Sequence, residues 1–265
     1  MSEYKITVRF RLCRLFFVIF LFVGNINRIL ISTSLNRLGN VMLNEFENKL
    51  HQKVNAFKIW AKTNYPEMTE DNDNGEWCFC DEFNEMFTSA LSIIQKSPAS
   101  TATEQIIDDL LYAIARDNEC ESIVEELVKY DDWFALLCRY SLKSPYTNAK
   151  WQFAVNLKNY KGSEELKDLI FEFLSTGDEY TERRALQSLA YIYPEQAEKY
   201  AIEFWNRNKY EYDEYQKIMV LHVLYQIHST KLKSYLEMAE NSSYEYLKFN
   251  AQEISEKLKT DNSVN

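Results

Sequence analysis

From Met42 onward, apolar residues recur at steps of three and four along almost the whole chain, the pattern of helices that each turn one face to a core. Leu43, Phe46, Leu50, Val54, Phe57 and Ala61 mark the first such stripe, and Phe79, Phe83, Met86, Phe87, Ala90 and Ile94 the second. Between them, Pro66, the acids at 67, 70, 71 and 73, and Gly75 predict one long loop over 64–78. Ser97-Pro98 ends the second helix, because proline lacks the donor that would continue it. Thr101-Ala102-Thr103-Glu104 has the form of a capping box, so a helix through about Arg116 is expected, with Ile106, Ile107, Leu110, Leu111 and Ile114 facing inward. Shorter helices are predicted over 119–129 and 131–143, the latter closed by Pro145. Further helices follow over 148–160, 164–175, 180–192, 195–207, 213–228, 230–240 and 243–258. Ser163, Thr230 and Ser243 are the expected N-caps and Pro194 a first-turn residue.

The second half has a rhythm. The trios Phe153/Ala154/Leu157, Ala185/Leu186/Leu189, Met219/Val220/Val223 and Asn250/Ala251/Ile254 superimpose, their central members about one helical hairpin apart. A small residue in most trios lets neighbouring helices approach closely, and Asn250 in the last suits a capping repeat. Glu182-Arg183-Arg184-Ala185-Leu186-Gln187-Ser188-Leu189-Ala190 resembles the second-helix pattern of HEAT-like repeat proteins, specifically the short bacterial form. That resemblance covers about 147–258. It lacks the family's first-helix proline and Asp-Val-Arg segment, and the spacing is shorter than the usual HEAT period of roughly 40–47 residues. It implies an all-α fold, a right-handed stack of antiparallel helical hairpins forming a HEAT-like α-solenoid. The expected organisation is a basic and apolar extension over 1–41, an acidic helical part over 42–146, HEAT-like repeats over 147–258 and a disordered tail over 259–265.

Composition supports the helical reading, since 5 glycines and 4 prolines in 265 residues are too few for the turns of a sheet protein of this length. The extension reads differently from the rest. Residues 15–23 form an uncharged apolar run behind Arg9, Arg11 and Arg14, too short to span a bilayer, which needs about 20 apolar residues. The run fits the apolar core of a secretory signal but is followed by no small-x-small cleavage site. The abrupt change of composition at Met42 favours the expectation that translation begins there. A cytoplasmic protein without stable membrane association is expected, export being the alternative if 1–41 is a genuine signal.

The formal net charge is −10, with 30 lysines and arginines against 40 acids. Residues 67–132 carry most of the excess, holding Lys96, Arg116 and Lys129 as their bases. Such a field repels nucleic acid and attracts a basic protein. The acidic pairs Asp108-Asp109, Glu125-Glu126 and Asp131-Asp132 are therefore candidate partner contacts, as solvated surface that a partner could meet. Tyr210, Tyr212 and Tyr215 join them, because tyrosine beside acid combines contact area with a hydrogen-bonding tip.

No phosphate-binding glycine loop, His-Glu-x-x-His or Gly-x-Ser-x-Gly occurs, so an enzyme is not expected and no catalytic residue is assigned. Cys78-Phe79-Cys80 has neither zinc-ligand nor redox spacing, and His51, His222 and His228 complete no metal set, so no cofactor or metal is expected. The five cysteines read as buried reduced thiols. Together these features predict an acidic helical-repeat module that binds a basic protein, in the manner of an immunity protein neutralising a toxin such as a nuclease. That likeness to helical-repeat immunity proteins is architectural only. The alternatives are a general HEAT-like scaffold and a HEAT-like DNA glycosylase, for which Trp151 and Arg183-Arg184 would line the groove.

Overall fold

A computed structural model describes residues 45–67 and 80–264, and among them every regular element is a helix. The expectations for 1–41 and for most of the 64–78 loop lie outside the described residues. The chain divides into two units, 1–49 and 50–265. Of the first, residues 45–49 are described and are helical. No helix among the described residues is long and apolar enough to cross a membrane.

The second unit begins with α1 (50–64), whose Leu50, Val54, Phe57 and Ala61 are fully buried, as their spacing predicts. It packs on α2 (Asp81–Lys96) and α3 (Glu104–Arg116) through ring contacts of Phe57 with Phe83 and Tyr112. The cap of α3 is Thr103, whose hydroxyl accepts from Ile106 N, while Thr101 belongs to a preceding 3-10 turn, Ala99–Thr101. The cap thus lies two residues after the expected one, and with Ile106 at N3 it is a simple N-cap rather than a capping box. After α4 (Ser122–Leu127), α5 (Asp131–Ser141) and α6 (Thr147–Asn156), the predicted helix over 164–175 is two single turns, α7 (Glu164–Lys167) and α8 (Ile170–Phe173). Bonds to the residue three back, Leu169 N to Leu166 O and Phe171 N to Asp168 O, tighten the chain there and interrupt the α-helix.

The remaining helices are α9 (Glu179–Ile192), α10 (Pro194–Asn206), α11 (Glu214–Gln226), α12 (Leu232–Glu240) and α13 (Glu245–Val264). Pro194 opens α10 as expected. Ser163 precedes α7 without a side-chain cap bond, and neither Thr230 nor Ser243 occupies a cap position, since α12 and α13 begin one residue later than those caps require. Of the tail expected to be disordered over 259–265, residues 259–264 continue α13, and 265 lies outside the described residues. Tyr225 OH of α11 donates to Asp261 Oδ2 at 2.7 Å, which ties this last stretch to the body.

Helices α6, α9, α11 and α13 are successive neighbours, α8 contacts α6 and α9, α10 contacts α9 and α11, and α12 contacts α11 and α13. The repeated trios sit on these four helices, and Ala154, Ala185, Val220 and Ala251 are fully buried at their junctions. Helix α6 is buried from Trp151 through Asn156, on every face, as a helix enclosed by others must be. Gln152 and Asn156 are the polar residues of that stretch: the Gln152 amide donates to Ile114 O (2.7 Å) and Asn148 O (3.0 Å), and Asn156 Nδ2 donates to Gln152 O (3.0 Å).

Candidate partner-binding surface

The three acidic pairs meet different fates. Asp109 is 1% exposed and cannot contact a partner. Helix α3 is covered by α1 on the side Asp109 occupies, and His51 Nδ1 lies 2.9 Å from its Oδ2. Burial raises the Asp109 pKa against the opposing pull of that histidine. Asn55 Nδ2 lies 3.0 Å from the other histidine nitrogen, so both ring nitrogens are engaged. Asp108 is half-buried and accepts from Tyr146 OH at 3.2 Å.

On α4, Glu125 is exposed, whereas Glu126 is held at 2.5 Å by Lys129, a bond that lowers its pKa. On α5, Asp131 is exposed, while Asp132 accepts from Ala99 N (3.0 Å) and Trp133 N (2.9 Å). Asp132 therefore fastens the start of α5 to the Ala99–Thr101 turn. Glu125 and Asp131 are the members of the set that face solvent in no hydrogen bond or ion pair with another side chain among the described residues. No hydrogen bond or ion pair among the described residues joins the acidic pairs to the tyrosine trio.

The trio also divides. Tyr210 is half-buried beside Glu182 and Lys209, and burial raises its pKa. Tyr212 and Tyr215 are 73% and 51% exposed. The polar cluster behind Tyr210 explains the difference. Glu182 on α9 is fully buried. Its Oε1 accepts from Gly177 N (2.8 Å) and Lys209 Nζ (2.7 Å), and its Oε2 lies 2.7 Å from Arg207 Nη1. Arg207 Nε then donates to Gln216 Oε1 at 2.6 Å, Gln216 Nε2 donates to Phe204 O, and the guanidinium covers the Phe204 ring. This network pins the segment 207–213 between α9 and α11 and leaves Tyr212 outside.

Tyr215 belongs to a row of rings and arginines that the sequence reading did not assemble. Trp151 meets Tyr180 edge-on at 5.1 Å, Arg183 lies over Tyr180 (4.7 Å) and Tyr215 (5.5 Å), and Tyr215 stacks on Tyr246 at 6.4 Å. The row crosses α6, α9, α11 and α13. Arg184 covers Trp151 at 5.4 Å, so the two arginines considered for DNA do lie beside that tryptophan. Each is already held by a carboxylate: Arg183 by Glu179 (2.9 Å), as the four-residue spacing predicts, and Arg184 by Glu121 (3.4 Å). Beyond Arg183 on the same crease, a groove of about 390 Å³ opens between α9 and α11, lined by Ala190, Tyr191, Met219, His222 and Val223 among others. One signal could have pointed to this edge: Tyr-Glu-Tyr occurs at 210–212 and again at 244–246, at the approach to α11 and to α13.

The described cysteines do not share one environment. Cys138 is fully buried and its thiol pKa is pushed up, Cys80 is half-buried and caps α2 through an Sγ that accepts from Phe83 N, and Cys120 is exposed. The expectation of uniformly buried thiols is corrected at Cys120, which sits in the turn between α3 and α4. No family model, curated protein or solved structure matches this chain.

Proposed function

We propose that the chain is an acidic helical-repeat protein-binding module that neutralises a basic protein, such as a nuclease toxin, and that its helices form a right-handed HEAT-like α-solenoid. In this reading α6, α9, α11 and α13 are the consecutive second helices of the repeats, with α8, α10 and α12 as their partners. The neighbour relations of those helices support the architecture, as does the burial of every trio member except half-buried Met219 and Asn250. The observation that carries the function is the acidic field of 67–132, with Glu125 and Asp131 left in solvent and in no ion pair among the described residues. A cationic surface is steered to such a field and slowed by salt. A cytoplasmic location belongs to the same reading.

The test is capture from the native host on the immobilised full chain at low and high salt, with mass spectrometry, followed by binding of the purified partner. One basic protein that elutes with salt and rebinds when purified is the expected result. Several weaker partners would instead favour a general scaffold. Retention of nucleic acid would favour the DNA-acting alternative, whose arginines the structure pairs with Glu179 and Glu121. Either outcome, or binding independent of salt, overturns the inhibitor reading.

A further inference from the structure

An aromatic edge runs along the N-terminal ends of α9, α11 and α13. Tyr180, Tyr212, Tyr215, Tyr246 and Phe249 are 38%, 73%, 51%, 63% and 58% exposed, far more than core rings tolerate, and three of them are joined through Arg183 and the Tyr215–Tyr246 stack. Contiguous exposed rings of this kind mark interaction surfaces. The charge of the edge is set by what its cations already hold. Arg183 is taken by Glu179 and Lys217 by Asp213 at 2.5 Å, while Arg207 and Lys209 share the single carboxylate of Glu182. Among the described residues, exposed Glu211 and Glu245 and half-buried Glu214, which accepts from Leu247 N (3.0 Å), are in no ion pair, and of the cations half-buried Lys248 is in none. The rings therefore sit among carboxylates.

We infer that this edge, rather than the acidic pairs on α3, α4 and α5, is the seat of the partner, and that its occupant is an arginine-bearing basic segment. The inference rests on the protein-binding reading above and fixes where that binding occurs. The chain supplies its own precedent for the chemistry: Arg183 fills the space between Tyr180 and Tyr215, with its Nε bonded to Glu179. A partner's arginine laid on the open faces of Tyr212 and Tyr246 would extend the same alternation, its guanidinium over a ring and its N–H groups toward Glu211 or Glu245. Arginine suits this better than lysine, because a planar guanidinium stacks on a ring and forks onto a carboxylate at once. The two Tyr-Glu-Tyr segments present ring and carboxylate side by side at both places.

The experiment titrates the full chain with a nine-arginine peptide, and with nine-lysine and nine-glutamate peptides of the same length, over a range of NaCl. Expected are salt-weakened binding of the arginine peptide, weaker binding of the lysine peptide, and a loss of about tenfold in Tyr212→Ser/Tyr246→Ser, as removal of two ring–cation contacts would give. Tyr246→Phe, which keeps the ring, retains wild-type affinity. Both substituted residues are exposed, and circular dichroism confirms that the double variant is folded. Equal affinity of wild type and double variant overturns the inference. If Glu125→Gln/Asp131→Asn then abolishes binding, the basic-partner reading survives with its seat on α4 and α5. If no cationic peptide binds even at low salt, both readings fail.

Discussion

Replacing Glu182 with alanine removes a buried carboxylate that meets two cations, Arg207 and Lys209. Glu182 is fully buried, while the side chains of Arg207 and Lys209 are 18% and 43% exposed. Removing one partner of a buried ion pair costs about 3–5 kcal/mol, because the charge left behind has lost its compensation. Arg207 and Lys209 reach some water, which places Glu182→Ala at the low end, about 3 kcal/mol. Glu182→Gln retains an acceptor for Gly177 N but not the charge, and should cost about 2 kcal/mol. The control is Glu179→Ala, which breaks the half-buried four-residue pair with Arg183 and should cost about 0.5 kcal/mol. Urea unfolding at pH 7 reads the difference: with a slope of about 2 kcal/mol per molar, the Glu182→Ala midpoint falls by about 1.5 M. Arg207→Met in the Glu182→Gln background should restore part of the loss, a coupling that a double-mutant cycle measures directly. A Glu182→Ala midpoint indistinguishable from that of Glu179→Ala would refute the reasoning, since it would mean that the carboxylate contributes no more than a surface pair.

Three further outcomes follow from the buried and strained positions. Burial raises Asp117 to about 6 even though it accepts from Ile123 N, so the folded state holds this proton more tightly than the unfolded state. Its contribution is therefore full below the unfolded value near 3.8 and lost as pH rises through 6, and Asp117→Asn should remove about 3 kcal/mol of that decline, measured by urea unfolding between pH 4 and 7. His228 ends α11 at φ 52°, with Ser229 N bonded back to Leu224 O, the helix-ending geometry that glycine prefers. His228→Gly should stabilise the protein by about 0.5–1 kcal/mol, seen as a higher melting temperature; a lower one would contradict the assignment of strain. Gln152→Leu removes the side-chain donor from Ile114 O, which keeps its bond from Asp117 N (3.1 Å), and should cost about 1 kcal/mol in the same urea assay, whereas a neutral result would show that the backbone bond alone satisfies that carbonyl.

Helix class and approximate placement were legible because a helix leaves a 3.6-residue imprint on any chain that buries one face. Leu50 through Ala61 are buried as their spacing put them, as are the members of the four trios other than half-buried Met219 and Asn250, and Pro194 opens α10 because its missing donor is harmless there. Helix ends were less legible. Thr101 and Thr103 both satisfy a cap pattern, and the choice between them fell to the 3-10 turn that Asp132 anchors from α5. The split of 164–175 and the continuation of α13 past residue 258 likewise depend on bonds formed around Asp168 and Asp261.

What the sequence by itself determined is the all-helical class and the acidic balance; it offered Tyr210, Tyr212 and Tyr215 alike, and only packing separated half-buried Tyr210 from the other two. What only the tertiary structure decided is which polar residues are spent internally. Asp108 and Asp109 are adjacent in sequence, yet one lies at a half-open edge and the other beneath α1, because neighbours on a helix point about 100° apart and only the packing of α1 says which direction is inside. The aromatic edge was hidden for the same reason: Tyr180, Tyr215 and Tyr246 are distant in the chain, and it is the side-by-side packing of α9, α11 and α13 that sets their rings and Arg183 in one row.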